Sequence, residues 1–342
     1  MMKLFWLTRK KQLLVAAALC VSFVGAPLAQ TPAEAAFNQE DLNDELMMAV
    51  GWMQNSAEYR ELCYQAYNVA LFQVKQAVAQ HQQGDKPLAI VLDADETVLD
   101  NSAFEAGLID TDSAYSTKTW TEWCAAGEAL AMPGATDFLQ AVDQLGVQIF
   151  YVTNRSMDTQ YEGSARNMKE LGFPQVDKEH MLFKTDTSNK QPRYDAIEKR
   201  YNVVVYLGDN AGDLPLGTYH KKQTQRNAII DAHKSQFGLK YIALPNPSYG
   251  DWEPAQYTDG DGNYWALSPK QKREARKDAL RTWVAPSERK HVKSPKKSKE
   301  AESSERTEKK GDSLIEQAQA EEAAIEKAHG LLAGAIANDI HS

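Results

Sequence analysis

The apolar residues of the chain change their spacing several times, and each change predicts a different element. Between residues 38 and 83 they recur at helical spacing, as Leu46, Val50, Met53, Tyr64, Tyr67, Leu71 and Val74. The sequence Gly84-Asp85-Lys86-Pro87 breaks this period. A continuous apolar run over residues 88–92 follows, which is typical of a strand buried on both faces.

The alternation of helices and strands continues downstream. Further strands are predicted over residues 147–152, 203–207 and 241–244, with helices over 135–145, 158–171 and 191–200. Such an order indicates βαβ units and a mostly parallel sheet, so the predicted fold class is α/β. The segment 101–133 interrupts the alternation and contains Trp120 and Trp123. We expect it to cover a site on the sheet.

The N-terminus has the layout of a signal peptide. Basic residues precede an apolar run over residues 13–29, and small residues follow near Ala29 and Ala35. We therefore expect segment 1–35 to direct export to the periplasm and to be cleaved. A transmembrane anchor and a lipid anchor on Cys20 are the alternatives.

The C-terminal part has a different composition. Residues 286–311 are dominated by Lys, Glu and Ser and predict a disordered linker, because they cannot bury enough apolar surface to offset their ordering entropy. Residues 312–342 predict a helical tail that either binds a partner or remains a solvated helix. A catalytic domain over residues 36–285 is left between the two ends.

Charge and cysteine content exclude some classes of partner and of fold. The 342 residues carry a formal net charge of -9, which argues against nucleic acid polymers as partners. The three cysteines are too few for a disulfide scaffold. Cleavage would leave Cys63 and Cys124, which either pair in an oxidising compartment or remain buried thiols.

Two carboxylates follow the first predicted strand, in Asp93-Ala94-Asp95-Glu96-Thr97. Ligands of open α/β sheets bind at the carboxyl ends of the strands. A carboxylate at the end of a buried strand costs folding free energy, so two of them there indicate a function. Asp93 can attack phosphorus while Asp95 exchanges a proton with the leaving oxygen and with water. The alternative is a polar strand end that caps the next helix.

Three further polar groups follow in order along the chain. Thr153-Asn154-Arg155 comes after the second strand, and Lys190 begins a helix; hydroxyl, amide and ammonium groups can all bind phosphate. Gly208-Asp209-Asn210-Ala211-Gly212-Asp213 follows the third strand and offers the hard oxygen ligands that Mg²⁺ prefers. Each group alone could be an ordinary cap, surface lysine or turn, but the ordered set favours catalysis.

At these residues the chain resembles the haloacid dehalogenase (HAD) superfamily. It is similar to the class C acid phosphatases of the DDDD group, and in particular to the lipoprotein e(P4) 5'-nucleotidase family. The resemblance spans about residues 45–285, in the segments 51–54, 64–68, 90–101, 151–155, 206–213 and 246–253. It implies a HAD-like, doubly wound, mostly parallel sheet, and we expect the N-terminal stretch and residues near 268–283 to form a helical accessory layer.

The resemblance also implies the roles of particular residues. Asp93 would be the nucleophile and Asp95 the general acid/base. The metal site for Mg²⁺ would comprise Asp93, Asp95, Asp209 and Asp213, with the backbone carbonyl of Asp95 facing the ion. Thr153, Asn154 and Lys190 would bind the phosphoryl group.

The implied substrate is a small phosphomonoester, such as a nucleoside 5'-monophosphate or nicotinamide mononucleotide. Phe104, Trp120, Trp123 and Tyr249 are candidates to stack on its ring, with ordinary core packing as the alternative. Family members tend to dimerise, so a homodimer is expected. A HAD phosphotransferase and a non-catalytic phosphoester-binding protein are the alternative functions.

Overall fold

The computed structural model describes residues 37–257 and 264–287. The predicted signal segment 1–35, the predicted tail 312–342 and all but the first two residues of the predicted linker lie outside these ranges. None of the helices in the described part of the chain is long and apolar enough to cross a membrane.

The described ranges alternate between helices and strands. The α-helices are Gln39–Asp44 (α1), Met47–Asn55 (α2), Ala57–Gln80 (α3), Ser102–Ala106 (α4), Thr117–Ala126 (α5), Ala135–Gln144 (α6), Met157–Glu170 (α7), Gln191–Arg200 (α8), Gln223–Ala232 (α9), Trp252–Tyr257 (α10) and Pro269–Asp278 (α11). The strands are Leu88–Leu92 (β1), Leu99–Asp100 (β2), Leu130–Ala131 (β3), Gln148–Ser156 (β4), Met181–Lys184 (β5), Asn202–Gly208 (β6) and Tyr241–Ala243 (β7). Short 3₁₀ helices cover Ala211–Asp213, Lys234–Gln236 and Tyr264–Ala266.

The main sheet has the strand order β5-β4-β1-β6-β7, and its neighbouring strands are all parallel. Strand β1 lies at the centre, and the chain crosses over first to one side and then to the other, which confirms the predicted α/β, doubly wound fold. Successive residues of β1 face opposite sides of the sheet. Ile90 and Leu92 therefore join the larger apolar core, while Ala89 and Val91 join the smaller one.

Segment 101–133 contributes helices α4 and α5. Strands β2 and β3, at the two ends of this segment, pair in an antiparallel two-stranded sheet. Helix α5 packs on α7. A Cβ atom on Gly163 of α7 would lie 2.2 Å from the carbonyl oxygen of Cys124, so only glycine permits this approach of the two helices.

The predicted element boundaries need several corrections. The helical pattern over residues 38–83 divides into α1, α2 and α3. Helix α3 begins as a new helix after α2 because the side chain of Ser56 caps it by accepting from the backbone amide of Tyr59. Strand β4 continues to Ser156 rather than ending at residue 152, so Thr153, Asn154 and Arg155 belong to the strand itself. Strand β5 and helix α9 were not predicted. The accessory helix expected near residues 268–283 is Pro269–Asp278.

Candidate active site

Asp93 lies directly after the central strand, where the backbone remains in line with the sheet. Its amide donates to the carbonyl of Leu207 at 3.1 Å, which extends the pairing of β1 with β6. The Asp93 carboxylate is buried, and Oδ1 accepts from Lys190 Nζ at 2.5 Å. The ammonium group also lies 2.8 Å from Oδ1 of Asp213, so one buried cation bridges two carboxylates.

Asp209 and Asp213 follow strand β6 and complete a group of three carboxylates. One carboxylate oxygen from each of Asp93, Asp209 and Asp213 lies within 4.8 Å of the other two. Asp213 is fixed by the Asn210 amide, which donates to its Oδ2 at 2.9 Å. A Cβ atom on Gly208 would lie 2.3 Å from Asp213 Cβ, so glycine is required at this position.

Two neutral donors orient the carboxylate of Asp209. Thr97 Oγ1 donates to its Oδ1 at 3.2 Å, and Asn246 Nδ2 donates to its Oδ2 at 2.9 Å. Thr97 belongs to the first acidic motif, and Asn246 belongs to a segment that resembled the phosphatases. Neither residue was assigned a role from the sequence.

The electrostatics of this group favour a bound cation. Burial raises the pKa of Asp93 to about 7, although Lys190 opposes the shift and the charges of Asp213 and Asp95 add to it. Burial, followed by the charges of Asp213 and Asp93, raises the pKa of Asp209 well above its ordinary value. Three hard carboxylates sharing one ammonium group carry excess negative charge, so the donor set fits a divalent cation such as Mg²⁺.

Asp95 is turned away from this trio and toward Arg155. The guanidinium Nη2 and Nε both donate to Asp95 Oδ1, at 2.7 and 2.9 Å. Asn101 Nδ2 donates to the same oxygen at 2.9 Å, and Thr153 Oγ1 lies 3.5 Å from Oδ2. The structure thus places Thr153 beside Asp95, whose carboxylate is not a member of the three-carboxylate group.

Asn154 points to a different neighbour. Its side-chain oxygen accepts from Arg193 Nη2 at 2.7 Å, and Arg193 Nη1 donates to the carbonyl of Thr153 at 2.6 Å. Arg193 thereby joins the end of β4 to helix α8, which begins after Lys190. Sequence reasoning missed this contact, although Arg193 lies only three residues after Lys190.

Two of the predicted stacking residues, Phe104 and Trp120, lie in an aromatic cluster beside Arg155. Phe104 packs on Trp120 with ring centroids 5.1 Å apart, and Tyr115 lies 6.2 Å from Trp120. The Arg155 guanidinium lies over the Trp120 ring at 5.4 Å. We call Phe104, Tyr115 and Trp120 the aromatic cluster.

The Trp123 ring lies 6.3 Å from the Phe104 ring, and Trp123 and Tyr249 are both anchored by their polar atoms. Trp123 Nε1 donates to Asn101 Oδ1 at 2.8 Å, and the Tyr249 hydroxyl donates to the carboxylate of Glu96. Glu96 is fully buried and has a left-handed backbone with φ of 49°. Burial raises its pKa well above the ordinary value, and the charges of Asp95 and Asp209 add to this.

Of the two remaining cysteines, Cys124 lies near Arg155 and Ser164. Cys63 and Cys124 are both free and buried, so the structure agrees with the thiol alternative. Burial raises the pKa of Cys124 to about 11 and that of Cys63 to about 12. Such thiols are unreactive at neutral pH.

Comparison with known proteins agrees with this geometry. Residues 8–252 match the family model described as HAD superfamily, subfamily IIIB (acid phosphatase). The structure resembles the class C acid phosphatase from Bacillus anthracis, with a TM-score of 0.66 and 36% identity over 71% of this chain and 99% of that chain. A structure described as that enzyme with tungstate bound matches with the same values. The chain therefore belongs to the acid phosphatases of HAD subfamily IIIB, the class C acid phosphatases, and is a phosphoric monoester hydrolase.

Proposed function

We propose that this chain is an exported, Mg²⁺-dependent phosphomonoesterase that acts through a phosphorylated Asp93. One observation carries the proposal: Lys190 bridges the buried Asp93 and Asp213 inside the three-carboxylate group, while Asp95 is held beside them by a different cation. This arrangement separates a nucleophile in a cation-binding pocket from a second carboxylate that can exchange protons.

Asp93, Asp209 and Asp213 would hold the magnesium ion through their carboxylate oxygens, with the backbone carbonyl of Asp95 as the further ligand that the family resemblance implies. When bound, the ion would neutralise charge on the phosphoryl oxygens and on the carboxylates. Lys190 would remain beside the nucleophile and bind a phosphoryl oxygen. The hydroxyl of Thr153 and the amide of Asn154 would supply further donors at the end of β4.

The reaction would proceed in two steps. In the first, an Asp93 oxygen bonds to phosphorus, the bond from phosphorus to the leaving oxygen breaks, and Asp95 donates a proton to that oxygen. In the second, a water oxygen bonds to phosphorus, the aspartyl bond breaks, and Asp95 takes the water proton. Inorganic phosphate, the Asp93 carboxylate and the protonated Asp95 side chain result, so protons and charges balance.

The aromatic cluster suggests the substrate class. Nucleoside 5'-monophosphates and nicotinamide mononucleotide carry a flat ring a few bonds from the phosphate, and such rings stack on aromatic side chains. Trp120 packs on the guanidinium of Arg155, which bonds to Asp95, and Phe104 packs on Trp120; Asp95 would exchange a proton with the leaving oxygen. We therefore assign Phe104 and Trp120 to ring recognition and Tyr249 to orientation of Glu96.

A substrate panel tests this function. Phosphate release should be measured from adenosine 5'-monophosphate, adenosine 3'-monophosphate, nicotinamide mononucleotide and an aryl phosphate, with Mg²⁺ and with chelator. We expect turnover that requires Mg²⁺ and favours the 5'-nucleotides. Broad turnover would retain the mechanism and reject the nucleotidase assignment, whereas full activity of Asp93→Asn would reject the mechanism.

A second experiment addresses the phosphotransferase alternative. An alcohol acceptor added at high concentration competes with water for the phosphorylated Asp93. A hydrolase should still release mainly inorganic phosphate, whereas a phosphotransferase should form mainly the new phosphate ester.

A third experiment tests the covalent intermediate. Mass spectrometry of acid-quenched enzyme should detect a phosphoryl adduct on Asp93 that hydroxylamine removes.

Export and dimerisation are further parts of the proposal, and a lipid anchor on Cys20 remains the alternative to cleavage. The basic and apolar pattern of residues 1–35 supports export to the periplasm. Cell fractionation and N-terminal sequencing of the mature protein would locate the protein and its cleavage site. Light scattering of the mature protein tests the expected homodimer.

A further inference from the structure

Arg155 is a buried cation whose donors are directed at a few defined acceptors. Its side chain is 2% exposed. Nε and Nη2 donate to Asp95 Oδ1, Nη2 also donates to Asn101 Oδ1 at 3.0 Å, and Nη1 donates to Ser164 Oγ at 2.8 Å. A guanidinium held in this way is fixed in both position and plane.

The two oxygens of Asp95 have different environments as a result. Oδ1 accepts from two guanidinium nitrogens and from Asn101 Nδ2. Oδ2 has the 3.5 Å contact with Thr153 Oγ1. An oxygen that already accepts several charge-assisted hydrogen bonds is a poor site for a proton, so Oδ2 is the better oxygen for proton exchange.

We propose that Arg155 is the positioning residue for the proton-exchanging carboxylate: it immobilises Oδ1 of Asp95 and leaves Oδ2 to serve the leaving oxygen. This inference rests on the proposed function, in which Asp95 is the general acid/base. Trp120 lies over the same guanidinium and links the aromatic cluster to this carboxylate. A substrate ring bound at the cluster would therefore contact the residues that fix Asp95.

Two other roles for Arg155 make different predictions. A phosphate-binding arginine would aim donors at the phosphoryl group, but these donors are directed at Asp95, Asn101 and Ser164. A merely structural ion pair is the second alternative, although burying a charge pair often contributes little net stability. The dependence of kcat/KM on the leaving group distinguishes positioning of Asp95 from phosphate binding and from a structural ion pair.

The experiment compares one substrate that needs leaving-group protonation with one that does not. A phenolate with a nitro group is stable when it departs unprotonated, whereas an alkoxide is not, so p-nitrophenyl phosphate and glycerol phosphate form the pair. For Arg155→Lys we expect kcat/KM to fall about tenfold to a hundredfold for glycerol phosphate and by less than about threefold for p-nitrophenyl phosphate. The value of kcat/KM reports the step in which the leaving group departs.

Two further variants test whether the selective loss is specific to the position of Arg155. Ser164→Ala removes one acceptor of Arg155 without removing its charge, and it should give the same selective loss to a smaller extent. Arg166→Lys is the matched control, because Arg166 donates to the carbonyls of Ala125 and Ala126 and is half exposed. It should leave the ratio of the two kcat/KM values unchanged.

A double variant distinguishes failure of this inference from failure of the proposed function. Once Asp95→Asn has removed the proton donor, adding Arg155→Lys should cost little more for glycerol phosphate. Equal losses on both substrates, no loss on either, or additive losses in the double variant would overturn the positioning role. If Asp95→Asn itself has no effect on glycerol phosphate, the acid/base assignment is wrong.

Discussion

Lys190 donates to Asp93 at 2.5 Å while also lying 2.8 Å from Asp213, so a single ammonium group offsets the charge of two buried acids. Burial lowers the pKa of Lys190, but the charges of Asp213 and Asp93 outweigh this, and the pKa lies above its ordinary value. Lys190 is therefore charged throughout the working pH range. Its position makes it a structural counter-ion, and we propose that it also binds the phosphoryl group.

Replacing this lysine should reduce stability and activity together. Lys190→Met leaves buried acids without their cation, so we expect a loss of about 3–5 kcal/mol in the free energy of unfolding. The rate should fall by about 100-fold or more, since a charge facing the transferred group is lost. Denaturant unfolding and phosphate release measure the two effects.

The matched control is Lys199→Met, which changes an exposed lysine in the last turn of α8, the helix that follows Lys190. Its effect should stay below about 1 kcal/mol, because only a helix-end charge is lost. Full activity of Lys190→Met would contradict the role of Lys190 as a phosphate ligand.

Magnesium should stabilise the folded protein by binding the three-carboxylate group. Mg²⁺ at 100 times its dissociation constant should raise the free energy of unfolding by about 2.7 kcal/mol. Asp209→Asn should abolish this increase, because it removes one anionic ligand. Thermal melting with Mg²⁺ and with chelator measures the shift without reference to activity.

Asp231→Asn, on the exposed surface of α9, is the control for the magnesium experiment and should retain the full shift. An unchanged shift in Asp209→Asn would mean that magnesium binds elsewhere. A shift absent from the unsubstituted protein would contradict the metal proposal itself.

The central part of the fold was predictable because its signals are local. Strand β1 is apolar at all five positions and all are buried, and the acidic residues after β1 and β6 lie at the ends of strands, where the α/β pattern expects ligands. Strand β5 has four residues and alternates between buried and half-buried positions, so its pattern is too short to identify. Helix α9 buries only Arg226 and has no apolar stripe.

Side-chain partners across long sequence separations were not predictable. The pairing of Arg155 with Asp95 joins residues 60 positions apart, and the bond from Tyr249 to Glu96 joins residues 153 positions apart. Both depend on how β4 and the loop after β7 meet the end of β1. The sequence pattern identified Tyr249 as an aromatic residue near the site, but it could not show that the hydroxyl bonds to Glu96.

Gly208 should not tolerate a side chain. The added Cβ of Gly208→Ala would lie 2.3 Å from Asp213 Cβ and 2.8 Å from Asp213 Oδ2, so Asp213 must move away from Lys190 and the proposed metal. We expect a loss of about 1–3 kcal/mol in stability from this overpacking and a large fall in magnesium-dependent turnover. Gly51→Ala is the control, because an added Cβ there meets nothing within 4 Å and alanine favours the helix. Gly208→Ala with normal magnesium affinity would show that Asp213 is not a rigid part of the site.

Glu105 should make the stability of the protein depend on pH. Burial, together with the negative charge of Glu253, raises the pKa of this carboxyl from 4.5 to about 7. The folded state therefore holds a proton between these two values that the unfolded state releases. The contribution of Glu105 to stability is therefore largest below about pH 4.5 and falls as the pH rises to about 7, by up to about 3 kcal/mol in total.

Glu105→Gln should remove this dependence, because the amide stays neutral at every pH. The difference in unfolding free energy between the variant and the unsubstituted protein should increase in favour of the variant as the pH rises from 4.5 to above 7. Denaturant unfolding at several pH values measures it, and comparing two proteins cancels the groups that titrate in both. Glu61→Gln, at an exposed position on α3, should give a nearly constant difference. A constant difference for Glu105→Gln would mean that Glu105 ionises in the folded protein as readily as in the unfolded chain, and that burial does not hold it neutral.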